Sequence, residues 1–228
     1  QMLQDRRLVA QTDRLLVTGT IDPQTNAVEL QTLFVIPGAG DVLPPTPGNY
    51  AIVLRDGAGT ELARYPFTPA PLEMGADPTP GAEAEGLLAI HELLPYVQGT
   101  NRVDIEGPSG LLTSVTAGSN PPTVTVVAPN GDETLNGNPV VVSWTANDPD
   151  GDPLHFDVQY SRDNGATWEM LAQDIAGNSV ELDASNIGST IQGLFRVWAS
   201  DGIHTASDQS DGTFTVPNRV PEVAITSP

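Results

Sequence analysis

The sequence predicts an all-β protein of two consecutive β-sandwich domains, with the start of a third at its C-terminal end. Three observations point there. The 228 residues include 22 Gly and 21 Pro but only 17% charged residues, a mixture that favours short strands and tight turns over helices. Apolar residues recur at every second position in run after run, the period of a half-buried strand. An apolar, Pro-bounded segment that begins at Pro122 also returns at Pro221, 99 positions later, about the length of one sandwich. A hydrophobic content of 39% over this length suits two separate cores.

Residues 1–14 are polar and read as a tail or a short first strand. From there LLVTGTID (15–22), AVELQTLFVIP (27–37), NYAIVLRDG (49–57) and ELARYPFTP (61–69) alternate, separated by turn-forming clusters such as DPQTN and DGAG. The segment 70–86, APLEMGADPTPGAEAEG, has neither period nor bulk and reads as a mobile surface loop. AEAEGLLAIHELLPY (82–96) has helical propensity. NRVDIEGPSG and LLTSVTA after it nevertheless read as closing strands that need a partner, so 87–94 is assigned as strand. The first sandwich then covers 15–118 with about seven strands.

A linker at 119–122 leads to the second domain, 123–217. VVVSW places Val140, Val142 and Trp144 on one face, and LHFDVQY does the same with Leu154, Phe156, Val158 and Tyr160. Between them NDPDGD, with its Pro-flanked acids and its Gly, makes a tight surface loop. After them Asn164-Gly165 sits where a two-residue hairpin turn needs positive φ. Trp144, the Phe156/Val158/Tyr160 alternation and FRVWASDG (195–202) together resemble strands B, C and F of a fibronectin type III or immunoglobulin-like module, over residues 121–217. With no Cys in the chain, the resemblance implies the sandwich without the disulfide of antibody domains. More loosely, the first domain resembles β-domains that precede such modules in large exported bacterial proteins, often beside a peptidase domain.

The repeat completes this organisation. PTVTVVAP (122–129) returns as PEVAITSP (221–228), each after an Asn-containing link, so residues 218–228 read as a linker and the first strand of a truncated third module. The expectation is a piece of a longer tandem array. QMLQDRRLVAQTD at the start does not have the form of an export signal.

Charge narrows the function classes. There are 29 acids against nine Arg and no Lys, a formal charge of −20 that argues against nucleic-acid partners and suits a divalent cation or a solubilising surface. No apolar run approaches the length of a membrane span, and the absence of Cys removes thiolate-metal sites.

Calcium at NDPDGD is the sharpest chemical expectation. Asp148, Asp150 and Asp152 alternate along one short loop and offer the hard oxygens that calcium takes. In a fibronectin-like sandwich the B–C and F–G loops share an end, which would bring Asp201, with Asp208 and Asp211 further along, towards them. The loop is not an EF-hand, because Gly151 comes too early and position 12 is Gln159; it resembles the DxDGD loops of cadherin-like and bacterial surface repeats. A solvated turn capped by its own acids is the other reading.

SRDNGATW fits the Asp-box pattern S-x-D-x-G-x-T-W at Ser161, Asp163, Gly165, Thr167 and Trp168. In sialidases such boxes are structural hairpins remote from catalysis, and the resemblance implies that role here, with Trp168 packing the hairpin on the sheet. His91-Glu92 in HELLP lacks the second His of a zincin. His155 faces opposite to Phe156 and reads as exposed, while His204 belongs to the F–G loop near the acids. GPSG at 107–110 lacks the strand-to-helix setting of a nucleophile elbow. Arg196 and Trp198 alternate away from Phe195, Val197 and Ala199, so Trp198 either offers a sugar or protein platform or is covered, for instance by the Trp168 hairpin.

These readings lead to a non-catalytic region of an extracellular or cell-surface protein, whose partners are neighbouring domains of its own chain and, as an alternative, a polysaccharide or surface protein. The family resemblance allows a secreted peptidase as the parent enzyme.

Overall fold

The computed structural model describes residues 13–38, 44–72 and 86–218. Residues 1–12 of the stretch 1–14 read as a tail or first strand, most of the 70–86 loop and the returning repeat at 221–228 lie outside them. The chain divides into two compact units, Gln1–Asn120 with Gly202–Thr205, and Pro121–Asp201 with Ala206–Pro228. Among the described residues regular structure is almost all strand, apart from one 3-10 turn at Ala184–Asn186.

The first unit contains β1 (Arg14–Ile21), β2 (Val28–Leu30), β3 (Phe34–Ile36), β4 (Tyr50–Arg55), β5 (Glu61–Phe67), β6 (Ala70–Pro71), β7 (Leu88–Pro95), β8 (Arg102–Gly107) and β9 (Gly110–Thr116). One sheet runs β2-β1-β7-β6, with β3 also on β1, and the other β5-β4-β8-β9. Leu15, Val17, Ile21, Ile90 and Leu94 from the first share a core with Ile52, Leu54, Phe67, Val103 and Ile105 from the second. The helix-prone stretch is strand β7, because eight of its residues pair antiparallel with β1 and bury Ile90 and Leu94, which outweighs local propensity. The run 27–37, expected as one strand, is two: β2 and β3 both pair β1, and fully buried Leu33 lies in the break between them.

The outer face of the second sheet carries a charge network. Arg55 bridges buried Asp104 at 2.8 Å, Arg64 bridges Glu106 at 2.6 Å and Glu61 at 2.8 Å, and Asp104 also holds Arg102 and the Ser114 hydroxyl. Arg55 and Arg64 across strands, and Arg102 within β8, thus neutralise acids whose side chains would otherwise repel along one face.

The second unit contains β10 (Thr123–Ala128), β11 (Val140–Asn147), β12 (His155–Ser161), β13 (Glu169–Ile175), β14 (Ser179–Leu182), β15 (Thr190–Ser200), β16 (Thr205–Gln209) and β17 (Phe214–Val216). A three-stranded sheet, β10-β11-β14, packs with a second sheet, β13-β12-β15-β16, and β17 joins the latter on β15. Their inner faces bury Val140, Val142 and Trp144 from β11, Phe156, Val158 and Tyr160 from β12, and Phe195, Val197 and Ala199 from β15. Phe195 and Phe214 stack at 4.9 Å, and Trp144 meets Phe156 at 5.2 Å. Space there is tight: a Cβ at Gly193 would come within 2.4 Å of the Phe214 ring.

Candidate metal loop and the polar face of the second unit

The β11–β12 loop starts where Asn147 leaves β11 and ends where His155 enters β12. Asp148 organises it. Its Oδ1 accepts the backbone N–H of Asp150 at 2.8 Å and of Asp152 at 3.1 Å, while Gly151 supplies the positive φ, 81°, that closes the turn. Carboxylate oxygens of Asp148, Asp150 and Asp152 thereby come within 4.8 Å of one another. The second oxygen of Asp148, Oδ2, is buried without a hydrogen-bond partner. A buried anionic oxygen left unpaired is costly, and a hard cation is one group that would satisfy it.

The more distant acids part from this group. Ser200 pairs with His155, so the register brings Asp201 to the same end of the sheet as the loop, but Asp201 is buried and stands outside the cluster of three. Asp208 and Asp211, expected in the loop with Asp201, serve β10 and its turn instead. Asp208 lies on β16, and its Oδ2 accepts the N–H of Val126 at 2.8 Å; Asp211 exchanges two hydrogen bonds with the Asn130 side chain. His204 is likewise no member of the cluster.

The hairpin after β12 is knit by short bonds. Asn164 and Gly165 both have positive φ, 56° and 84°. The Thr167 hydroxyl and amide both donate to Asp163, at 2.6 and 2.8 Å, and the Ser161 hydroxyl donates to it at 2.8 Å. These bonds, those of Thr167 first, pull the Asp163 carboxyl down to about 2. Trp168 donates Nε1–H to the Gly165 carbonyl at 3.0 Å, which closes the turn on itself.

On the outer face of β12 and β15 the sequence left two outcomes open for Trp198. Its indole is half-buried and donates to Gln159 Oε1 at 3.0 Å. Beside it the Arg196 guanidinium lies 3.8 Å from the centre of the Trp168 ring and 5.8 Å from that of Trp198. The Trp168 hairpin thus covers Arg196 while both indoles stay partly exposed.

Two features escaped the sequence. Asp157, on the face of β12 opposite Phe156 and Val158, is buried, and its carboxylate accepts the N–H of Asp174. His155, expected exposed, keeps 37% of its side chain exposed but sets Nδ1 2.6 Å from Asp174 Oδ1, a pairing the sequence did not reveal. The acidic residue and the left-handed φ of Asp174, 56°, mark a bulge on β13 that pattern alone does not reveal. No helix among the described residues is long and apolar enough to cross a membrane. No protein-family sequence model matches the chain. A comparison with curated proteins gives no match either.

Proposed function

We propose that the chain is a non-catalytic spacer and interaction region of a larger exported or cell-surface protein, its second unit a fibronectin type III-like module stiffened by calcium at Asp148, Asp150 and Asp152. The observation that carries the metal reading is the buried, partnerless Oδ2 of Asp148 beside two further carboxylates. The donor set fits, being hard oxygens on a short loop already folded around Asp148 Oδ1. Asp148, Asp150 and Asp152 would hold the ion; Asp201 is left out because it stands outside their group. Bound calcium would cancel the mutual repulsion of the three acids and tie the start of β12 to the end of β11.

The module type is supported by strand order. A three-stranded sheet of β10, β11 and β14 opposite β13-β12-β15-β16 is the arrangement expected when β11, β12 and β15 take the places of strands B, C and F. A spacer role accords with this architecture, in which the chemistry gathers in one loop.

Thermal unfolding of the whole chain with millimolar calcium and with chelator tests the proposal. At a calcium concentration ten times Kd the linkage amounts to about 1.4 kcal/mol, which raises the unfolding temperature of the second unit by several degrees. Coincident curves contradict it.

A further inference from the structure

Arg196 differs from Arg55, Arg64, Arg102 and Arg162. In a chain with 29 acids and nine Arg, carboxylates are abundant partners. Arg55, Arg64 and Arg102 are held by Asp104, Glu61 and Glu106, and Arg162 lies 3.6 Å from Glu169. Arg196 has no carboxylate partner among the described residues. Its Nη2 donates to Gln209 Oε1 at 3.2 Å, and the indoles of Trp168 and Trp198 flank it. Burial pulls its pKa down with nothing opposing, the mark of a cation partly stripped of water and left unpaired.

The neighbours sharpen the chemistry. The acceptor oxygen of Gln209 is taken by Arg196 and that of Gln159 by Trp198. The patch offers chiefly donors, the guanidinium N–H groups and two side-chain amide NH2 groups, with one acceptor site left on each Gln oxygen. Asp157, opposite Trp198 in the register, is buried with its carboxylate on the Asp174 amide and makes no ion pair with Arg196. A guanidinium fork matches a carboxylate in two parallel hydrogen bonds, and an indole face suits a flat ring edged with polarised C–H groups.

We infer that this face, formed by Trp168, Arg196 and Trp198 with Gln159 and Gln209, binds a uronate unit of an acidic polysaccharide, the guanidinium taking the sugar carboxylate and the indoles its ring. An acidic peptide would satisfy the guanidinium but make no use of the half-exposed indoles beside it. The inference does not depend on the calcium loop.

The test is titration of a short galacturonate oligomer into the whole chain, followed by amide chemical shifts. Chelator is included so that calcium does not bridge the sugar to Asp148, Asp150 and Asp152. Physiological ionic strength, with a screening length of about 8 Å, removes most of the long-range repulsion from the net charge. Saturable binding is expected, with shifts centred on Arg196 and Trp198. It should weaken by about tenfold or more when the carboxylates are methyl-esterified, and similarly in Arg196→Gln, with Arg196→Lys between. The comparison of acid with ester uses the unaltered protein and so stands even if a variant unfolds. Failure of the acid to bind, equal binding of the ester, or equal binding of an oligoglutamate peptide would each overturn the inference.

Discussion

The carboxylate of Asp157 accepts the backbone N–H of Asp174 at 3.0 Å, across the register shift between β12 and β13. Asp157 is only 7% exposed, and burial, reinforced by the charge of Asp174, pushes its carboxyl up against the opposing effect of that hydrogen bond. A raised folded-state pKa means that the fold favours the protonated form. The associated stability is fully present below the unfolded value, about 3.9, and is lost as pH rises through the folded one. Asp157→Asn keeps an acceptor for Asp174 without the charge. Melting curves should show the variant gaining on the parent protein between acidic and neutral pH; a constant difference would contradict this.

Asp163 should behave in the opposite way. Its carboxyl sits at about 2, held down first by the Thr167 side chain and then by the Thr167 amide and Ser161. Its contribution is therefore present above the unfolded value of about 3.9 and is lost as pH falls towards the folded value. Asp163→Ala should lower the melting temperature at neutral pH, and the deficit should shrink in acid. Equal deficits at both pH values would show that the loss is one of turn geometry alone.

The core of the second unit offers a contrast between two aromatic residues. Trp144 is 2% exposed and its Nε1–H lacks a partner, so Trp144→Phe removes an unsatisfied donor while keeping a ring beside Phe156. Phe195, packed on Tyr160 and Phe214, has no such offset. Phe195→Ala should cost about 3–5 kcal/mol in denaturant unfolding. Trp144→Phe should cost less than half of that, and an equal cost would mean that the lost volume outweighs the relieved donor.

Residues that follow a local rule were legible in the sequence. Val140, Val142, Trp144, Phe156, Val158 and Tyr160 alternate and are buried together, and Asn164-Gly165 carries the positive φ values its turn requires. Asp157 escaped the rule because period 2 says which face a side chain takes, not what covers it; here the irregular stretch of β13 alongside turns the Asp174 amide onto its carboxylate. The splitting of 27–37 was equally non-local, since it depends on pairing to β1, whereas the strand at 88–95 was legible despite its helical propensity because the closing strands after it need a partner. In the acidic loop, spacing was enough to bring Asp148, Asp150 and Asp152 together. The placing of Asp208 and Asp211 depended on where β16 ends and on hydrogen bonds to Val126 and Asn130, which no spacing encodes.

Asp148 has two tasks, one at each oxygen, and a substitution separates them. Asp148→Asn retains an oxygen able to accept from the Asp150 and Asp152 amides but removes the negative charge at the buried Oδ2 position. In calcium-free solution the variant should melt close to the parent protein, within about 1 kcal/mol. A large loss of stability there would show that the carboxylate is needed by the fold itself.

Calorimetric titration of calcium into the intact chain and into its Asp148→Asn variant tests the central claim most directly. Saturable binding of one ion by the parent protein, weakened about tenfold or more in the variant, is the result predicted for a loop whose buried oxygen awaits a cation. No saturable heat from the parent protein, or equal binding by both proteins, would contradict it.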